Sequence, residues 1–346
     1  MSRQLAYKDA VNEALRQEME LDPTIFLIGE DVAGGAGRDH VPGATDAWGG
    51  PFGVTKDLVT KFGRERVIDS LLAETGFVGA CIGAAFAGLK PVAEIMYADF
   101  IGTSFDQLLN HAAKLRFTYG GKSSIPLVIR TVTGAGFRAA SEHSQMLLSI
   151  YAHIPGLKVI APSDAYDAKG LLIAALRDPD PVIFMEHKRL YMRTTHVPDE
   201  PYVIPIGKGV VKREGRDVTI VGVQKMVQTA LEAAVELEEL GISVEVIDPR
   251  TYSPLDMDLI CTSVEKTGLL LVVDESHPRC SMASDIASQV ADQSFASLKG
   301  PIKTLTGLHT PVPYSPPLED FFVPSVQEIV RYVSSMSKGE KIVSRY

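Results

Sequence analysis

The sequence predicts an α/β protein built as two domains. Three features point there. Apolar, β-branched runs recur along both halves, helical periodicity separates most of them, and a proline-bearing polar stretch breaks the alternation between Tyr191 and Gly209. The runs are continuous rather than alternating, the pattern of strands buried on both faces of a mostly parallel sheet. At 346 residues the chain is too long for one small core and suits two.

The amphipathic stretch MSRQLAYKDAVNEALRQEME opens the chain as a helix. Strands are predicted at 24–29, 66–70, 90–95, 125–132, 157–162 and 181–187, with helices over 99–119 and 164–177. These make up a first domain, residues 1–190. Residues 191–209 read as a linker, because three prolines in TTHVPDEPYVIPIG interrupt strand and helix alike. The alternation restarts in a second domain, 210–346. It has strands at 217–223, 242–249, 268–276 and 302–307, helices at 224–240 and 254–266, and a last helix near 325–336 after a proline-rich piece. Right-handed crossovers follow for parallel strands joined by helices.

Composition excludes several classes. A net charge of −9 and a pI near 5.4 argue against nucleic acid or an anionic membrane as partner. No run of eighteen apolar residues is present, and the N-terminus lacks the apolar core of a signal peptide. The widely spaced Cys81, Cys261 and Cys280 form neither a disulfide framework nor a zinc motif, so the compartment reads as reducing: cytoplasm or an organelle matrix. The histidines show no HxxxH or HExxH spacing, and there is no GxxxxGK[ST] or GxSxG. Gly134-x-Gly136, after a strong strand, imitates a dinucleotide fingerprint. It continues into the polar string SEHSQ, and no acidic residue follows where a ribose would need one.

One stretch carries chemistry. Glu74 is the only carboxylate of a helix otherwise rich in small residues, from Gly76, Gly79 and Ala80 to Gly83, Ala84, Ala87 and Gly88. Such a carboxylate either complements the helix dipole or, desolvated, hydrogen-bonds a heterocycle nitrogen. The residues alone leave both readings open.

From about residue 5 to 335 the chain resembles the beta subunits of pyruvate, branched-chain 2-oxo acid and acetoin dehydrogenase complexes. The segments are FLIGEDV (26–32), LLAETGFVG (71–79), KPVAEIMYADF (90–100), NHAAKLRFTYGGK (110–122), EHSQ (142–145), HIPGLKVIAPSDAYDAKGLL (153–172), RDPDPVIFMEHKRLY (177–191) and VIDPRTYSPLD (247–256). The resemblance implies a pyrimidine-binding domain followed by a transketolase C-terminal-type domain. It also implies thiamine diphosphate, bound together with an alpha subunit in an alpha-two beta-two tetramer that docks on a dihydrolipoyl acyltransferase core. The chain has no GDG, the motif that holds the diphosphate and magnesium in such enzymes. Magnesium would therefore be held mainly by the alpha subunit.

By the family's pattern, Glu74 hydrogen-bonds the cofactor's pyrimidine nitrogen. Leu72, Met96 and Phe100 pack against the ring, and Glu30 is a carboxylate close to it. His143 is the histidine of the active-site mouth, passing protons to the substrate-derived group or the lipoyl sulfur. It follows Ser141-Glu142, where relatives often carry alanine and glutamine, and Thr103 stands where some carry a glutamine. RDPDP matches a turn that holds potassium in some relatives, with Leu127, Ala175, Asp178 and Asp180 as the positions. The glycine-rich loop 31–58, with Trp48, looks more like acetoin dehydrogenases than pyruvate enzymes, while EHKRLY (186–191) fits acetoin and branched-chain types alike. The expected activity is cleavage of acetoin or a 2-oxo acid with acyl transfer to lipoate. A branched-chain 2-oxo acid enzyme, a single-chain transketolase-like enzyme and a non-catalytic relative stay open as alternatives.

Overall fold

A computed structural model describes residues 3–34, 49–342 and 345 of the chain. Trp48 and the rest of 35–48, on which part of the acetoin resemblance rests, lie outside the described residues. Two compact units emerge: Met1–Thr133 with Ile150–Ile206, and Gly134–Ser149 with Gly207–Tyr346.

The first unit runs β1 (Gln4–Ala6), α1 (Tyr7–Leu21), β2 (Ile25–Gly29), α2 (Leu58–Phe62), β3 (Val67–Asp69), α3 (Glu74–Phe86) and β4 (Lys90–Ile95). There follow α4 (Leu115–Thr118), β5 (Val128–Thr133), α5 (Leu148–Ala152, which straddles the division), β6 (Lys158–Ile160), α6 (Ala165–Arg177), β7 (Val182–His187) and β8 (Thr194–His196). Six strands lie in the order β6-β7-β5-β4-β2-β3, and every neighbouring pair is parallel. Both β5 and β7 are buried along their whole length, so apolar residues stand on both of their faces. On one side, α1 and α6 bury Ala10, Val11, Ala14, Leu15, Ala168, Leu171 and Leu172 in a common core. The face of α3 that turns inward carries Phe77, Val78, Cys81, Ile82 and Ala85. Burial pushes the Cys81 thiol up to about 12, so it behaves as an inert apolar group.

Two sequence expectations differ from the structure. The single helix predicted over 99–119 is three pieces: a 3₁₀ segment Ala98–Ser104, a π segment Gln107–Ala112, and α4. Thr103 Oγ1 donates to Phe100 O at 2.8 Å and Ser104 Oγ to Ile101 O at 3.0 Å. These bonds to the carbonyl three residues back favour the tighter turn. The stretch read as a linker also carries structure of its own up to Ile206. Its strand β8 pairs antiparallel with β1, and Ile204 N donates to Gly170 O at 3.2 Å. A Cβ at Gly170 would stand 2.7 Å from the side chains of Tyr202 and Ile204. Proline bars a long strand here, but a three-residue strand needs only a partner, and that partner lies at the far N-terminus.

In the second unit β9 (Val210–Arg213), β10 (Val218–Gly222), α7 (Met226–Glu239), β11 (Val244–Asp248), β12 (Thr251–Ser253) and α8 (Met257–Thr267) precede β13 (Leu270–Asp274). Then come α9 (Met282–Gln293), β14 (Lys303–Thr306), α10 (Pro316–Phe322) and α11 (Val326–Ser337). Its sheet order is β14-β13-β10-β11-β9, parallel except for the edge strand β9. One apolar core joins α7 and α11 to the sheet, and another joins α8 and α9. Ser325 and Glu328 close a reciprocal capping box that starts α11. Among the described residues no helix is long and apolar enough to cross a membrane.

One charged cluster sits inside the first sheet. Arg130 on β5 is 1% exposed and lies between Glu94 on β4 and Glu186 on β7. Its Nε donates to Glu186 Oε1 at 2.7 Å, its Nη1 donates to Glu94, and Tyr191 OH donates to Glu186 Oε2 at 3.0 Å. Burial outweighs the guanidinium and holds the Glu186 carboxyl above its ordinary range. Replacing Arg130 by Met would leave two carboxylates buried without their cation. The expected loss is about 3–5 kcal/mol, read as a lower urea midpoint with an unchanged slope. An unchanged midpoint would mean the cluster does not stabilise the fold.

Candidate active site

The site forms where the first sheet reverses its winding. From β2 the chain moves to β3 on one side, then returns to place β4 on the other. Open α/β sheets bind ligands beyond the carboxyl ends of their strands at such a switch point. Gly29, the last residue of β2, stands opposite Asp69 of β3 and Glu94 of β4. The next residues out are Glu30 after β2, the turn 70–73 leading from β3 into α3, and Met96 after β4. A side chain at Gly29 would meet Glu94 O at 2.7 Å, so only glycine lets these strand ends close up.

Glu30 and Glu74 face one another across this crevice. The Glu30 carboxyl is pushed up to about 7, first by burial and then by the Glu74 and Asp31 carboxylates. Its Oε1 is buried and finds no hydrogen-bond partner among the described residues. Glu74 is half-buried in the first turn of α3, and around it the helix offers almost no side-chain bulk. A Cβ at Gly76 would touch only Ala73, at 3.9 Å, and one at Gly79 only Gln107, at 3.7 Å. Thr75 Oγ1 donates to Thr103 O at 2.5 Å, which fastens the start of α3 to the 3₁₀ segment carrying Phe100. Met96 and Phe100 are half-buried at the exit of β4. Leu72 stands in the open, 83% exposed, and the neighbouring Leu71 is exposed as well.

A planar heterocycle with amino and ring nitrogens fits this set. The orphaned oxygen of Glu30 needs a donor, the Glu74 carboxylate can hydrogen-bond a ring nitrogen, and Met96 and Phe100 offer soft apolar surface. Among the described residues no cluster of histidine, cysteine, aspartate and glutamate is arranged to hold a metal.

The remaining expected residues belong to other segments. His143 ends a short turn, Ser141–His143, in the segment Gly134–Ser149 that belongs to the second unit. The Ser141 hydroxyl keeps the Glu142 carboxyl below its ordinary range, so an ionised carboxylate precedes the imidazole. At the positions matched to a potassium turn, Leu127 O accepts from Val182 N at 2.9 Å and Ala175 O from Asp178 N at 3.2 Å. The Asp178 and Asp180 carboxylates grip Lys158 Nζ at 2.6 and 3.2 Å, and Arg116 also pairs with Asp180. Their negative charge is thus already met by side-chain cations. Sequence reasoning missed Glu275 and Glu319, which hold the His143 segment by its amides. They lie 140 and 183 positions along the chain from the groups they bind, and no spacing signals them.

Residues 3–194 match the transketolase pyrimidine-binding domain and residues 207–329 the transketolase C-terminal domain. The chain belongs to the family of oxidoreductase beta subunits that joins these two domains. It is 54% identical over 330 residues to the acetoin:2,6-dichlorophenolindophenol oxidoreductase subunit beta of Bacillus subtilis (strain 168), covering 95% of this chain and 96% of that one. To the subunit of the same name from Cupriavidus necator it is 53% identical over 341 residues, covering 99% and 100%. To the 2-oxoisovalerate dehydrogenase subunit beta of B. subtilis it is 44% identical, covering 92% and 94%. In fold it is similar to a split-gene transketolase solved as an inactive beta4 tetramer, with a TM-score of 0.75, 22% identity and coverage of 97% and 99%.

The Glu30 carboxyl yields a pH test. A proton affinity raised in the folded state stabilises at low pH, and that contribution is lost as pH rises through about 7. Glu30→Gln should therefore flatten the fall in thermal midpoint of the cofactor-free protein between about pH 5 and pH 8. An identical fall in variant and wild type would mean that Glu30 does not titrate in this window.

Proposed function

We propose that this chain is the beta subunit of a thiamine-diphosphate-dependent acetoin dehydrogenase, active with an alpha subunit in an alpha-two beta-two tetramer. The observation that carries the reading is the step in identity, 53–54% to the two acetoin oxidoreductase beta subunits against 44% to the 2-oxoisovalerate one, at nearly full coverage throughout. Cleavage of a 2-oxo acid is the second reading, favoured by that same 44%.

Bound thiamine diphosphate supplies the electron sink for breaking a bond next to a carbonyl. In this proposal Glu74 holds a proton at the pyrimidine ring nitrogen and so sets the tautomer of the ring. Glu30 accepts from the amino side and retains its own proton near neutral pH. Leu72, Met96 and Phe100 line the ring's faces and keep water away. His143 moves a proton at the substrate-derived oxygen or at the lipoyl sulfur. Magnesium is held by the alpha subunit, since this chain has no GDG. Potassium, where present, sits at the carbonyls of Leu127, Ala175, Asp178 and Asp180. The acyl group leaves on a lipoyl arm of an acyltransferase core, in the cytoplasm or an organelle matrix. Leu71 and Leu72, exposed in the turn that leads into α3, support a partner subunit at this mouth.

Co-expressed alpha and beta chains, given thiamine diphosphate, magnesium and a dye acceptor, are expected to turn over acetoin in preference to pyruvate or branched-chain 2-oxo acids. Preference for a 2-oxo acid would replace the substrate and leave the family unchanged. Glu74→Gln should assemble normally and lose turnover on the order of 10²–10⁴-fold. Wild-type turnover in that variant would remove Glu74 from the chemistry.

A further inference from the structure

The glycine-rich segment after β5 is not an anion site for a ligand, because the protein fills it with its own carboxylate. Four alternate residues there have left-handed backbones: Gly134 at φ 90°, Gly136 at 94°, Arg138 at 57° and Ala140 at 61°. A backbone of this kind turns neighbouring N–H groups toward one point. At that point lies Glu319 of α10, whose side chain is fully buried. Its Oε1 accepts from Gly136 N at 2.8 Å and Arg138 N at 3.3 Å, and its Oε2 accepts from Arg138 N at 3.2 Å and Arg138 Nη1 at 2.6 Å. The guanidinium also reaches Asp320 at 2.8 and 2.9 Å and Pro316 O at 3.1 Å. Beside it, Ala135 N donates to the buried Glu275, and Ser276 Oγ donates to Met146 O at 3.2 Å.

These contacts pin the segment at 135–138 and again at 146. The turn that carries His143 lies between the pins. Arg138 and Ala140 have a Cβ, so the backbone they adopt is disfavoured in isolation and persists only where its amides are matched. A buried carboxylate, in turn, is tolerable only when hydrogen bonds replace its water. Each half of the arrangement requires the other.

We propose that Glu319 is a positioning residue for His143: its carboxylate is the template on which 134–140 folds, and it sets where the imidazole stands. The proposal rests on the role given to His143 above. The test is a double-mutant cycle in the reconstituted alpha–beta enzyme. Glu319→Gln should lower kcat on the order of 10–100-fold while KM and thiamine diphosphate affinity stay unchanged. In a His143→Ala background the same substitution should cost nothing more, because the group it places is gone. Arg138→Ala, which removes the guanidinium and keeps the amides, should give a smaller loss that also vanishes with His143→Ala; it decides the matter if Glu319→Gln does not assemble. Equal losses with and without His143, or no loss in either single variant, would overturn the proposal. Full turnover in His143→Ala alone would instead overturn the role of the histidine, an outcome the cycle reads separately.

Discussion

The constraint on which the site depends is the close approach of the parallel strands β2 and β4 at the switch point of the first sheet. Parallel strands need crossovers, and the chain that leaves β2 for β3 must return past it to lay down β4. The return opens a crevice beyond Gly29. Three strand exits then deliver Glu30, Glu74 and Met96 to one place. None of these side chains needs a long loop to reach it, so the scaffold's rigidity passes directly to the site.

Charge inside this unit is handled in two opposite ways. Around Arg130 every formal charge has a partner within hydrogen-bond distance, and the cluster links β4, β5 and β7. At the crevice the reverse holds. Glu30 and Glu74 are like charges, and the Glu30 carboxyl keeps its proton to about 7 because neither burial nor its neighbours favour ionisation. A satisfied cluster is tolerable when buried, whereas Glu30 Oε1, buried without a hydrogen-bond partner among the described residues, leaves room for a donor from a ligand. The two sets lie on adjacent strands, with Glu94 directly following Ala93 on β4 and paired in register with Gly29.

The second unit uses the same chemistry for a different end. Its Glu319 resembles a bound anion in everything but its covalent attachment: it is buried, gathered by converging amides and matched by an arginine. A phosphate held in such a nest would come and go. A side chain does not, so the geometry becomes permanent support for the turn that carries His143.

By itself the sequence determined the alternation of strands and helices, the family, and the candidates Glu30, Glu74, Met96, Phe100 and His143. Strands such as VIRTVT (128–133) and VIFMEH (182–187) are legible because burial on both faces puts β-branched and apolar residues at successive positions, a local property of each strand. Glu74 stands out as the lone carboxylate on a helix of small residues, and only the family resemblance gives it a role. Only the tertiary structure decided that β1 pairs with β8, that 98–118 breaks into three helical pieces, that Glu30 Oε1 finds no hydrogen-bond partner among the described residues, and that Glu319 fills the glycine-rich turn. Each of these depends on which distant groups meet, and a sequence records which residues are present without recording which of them come within three ångströms.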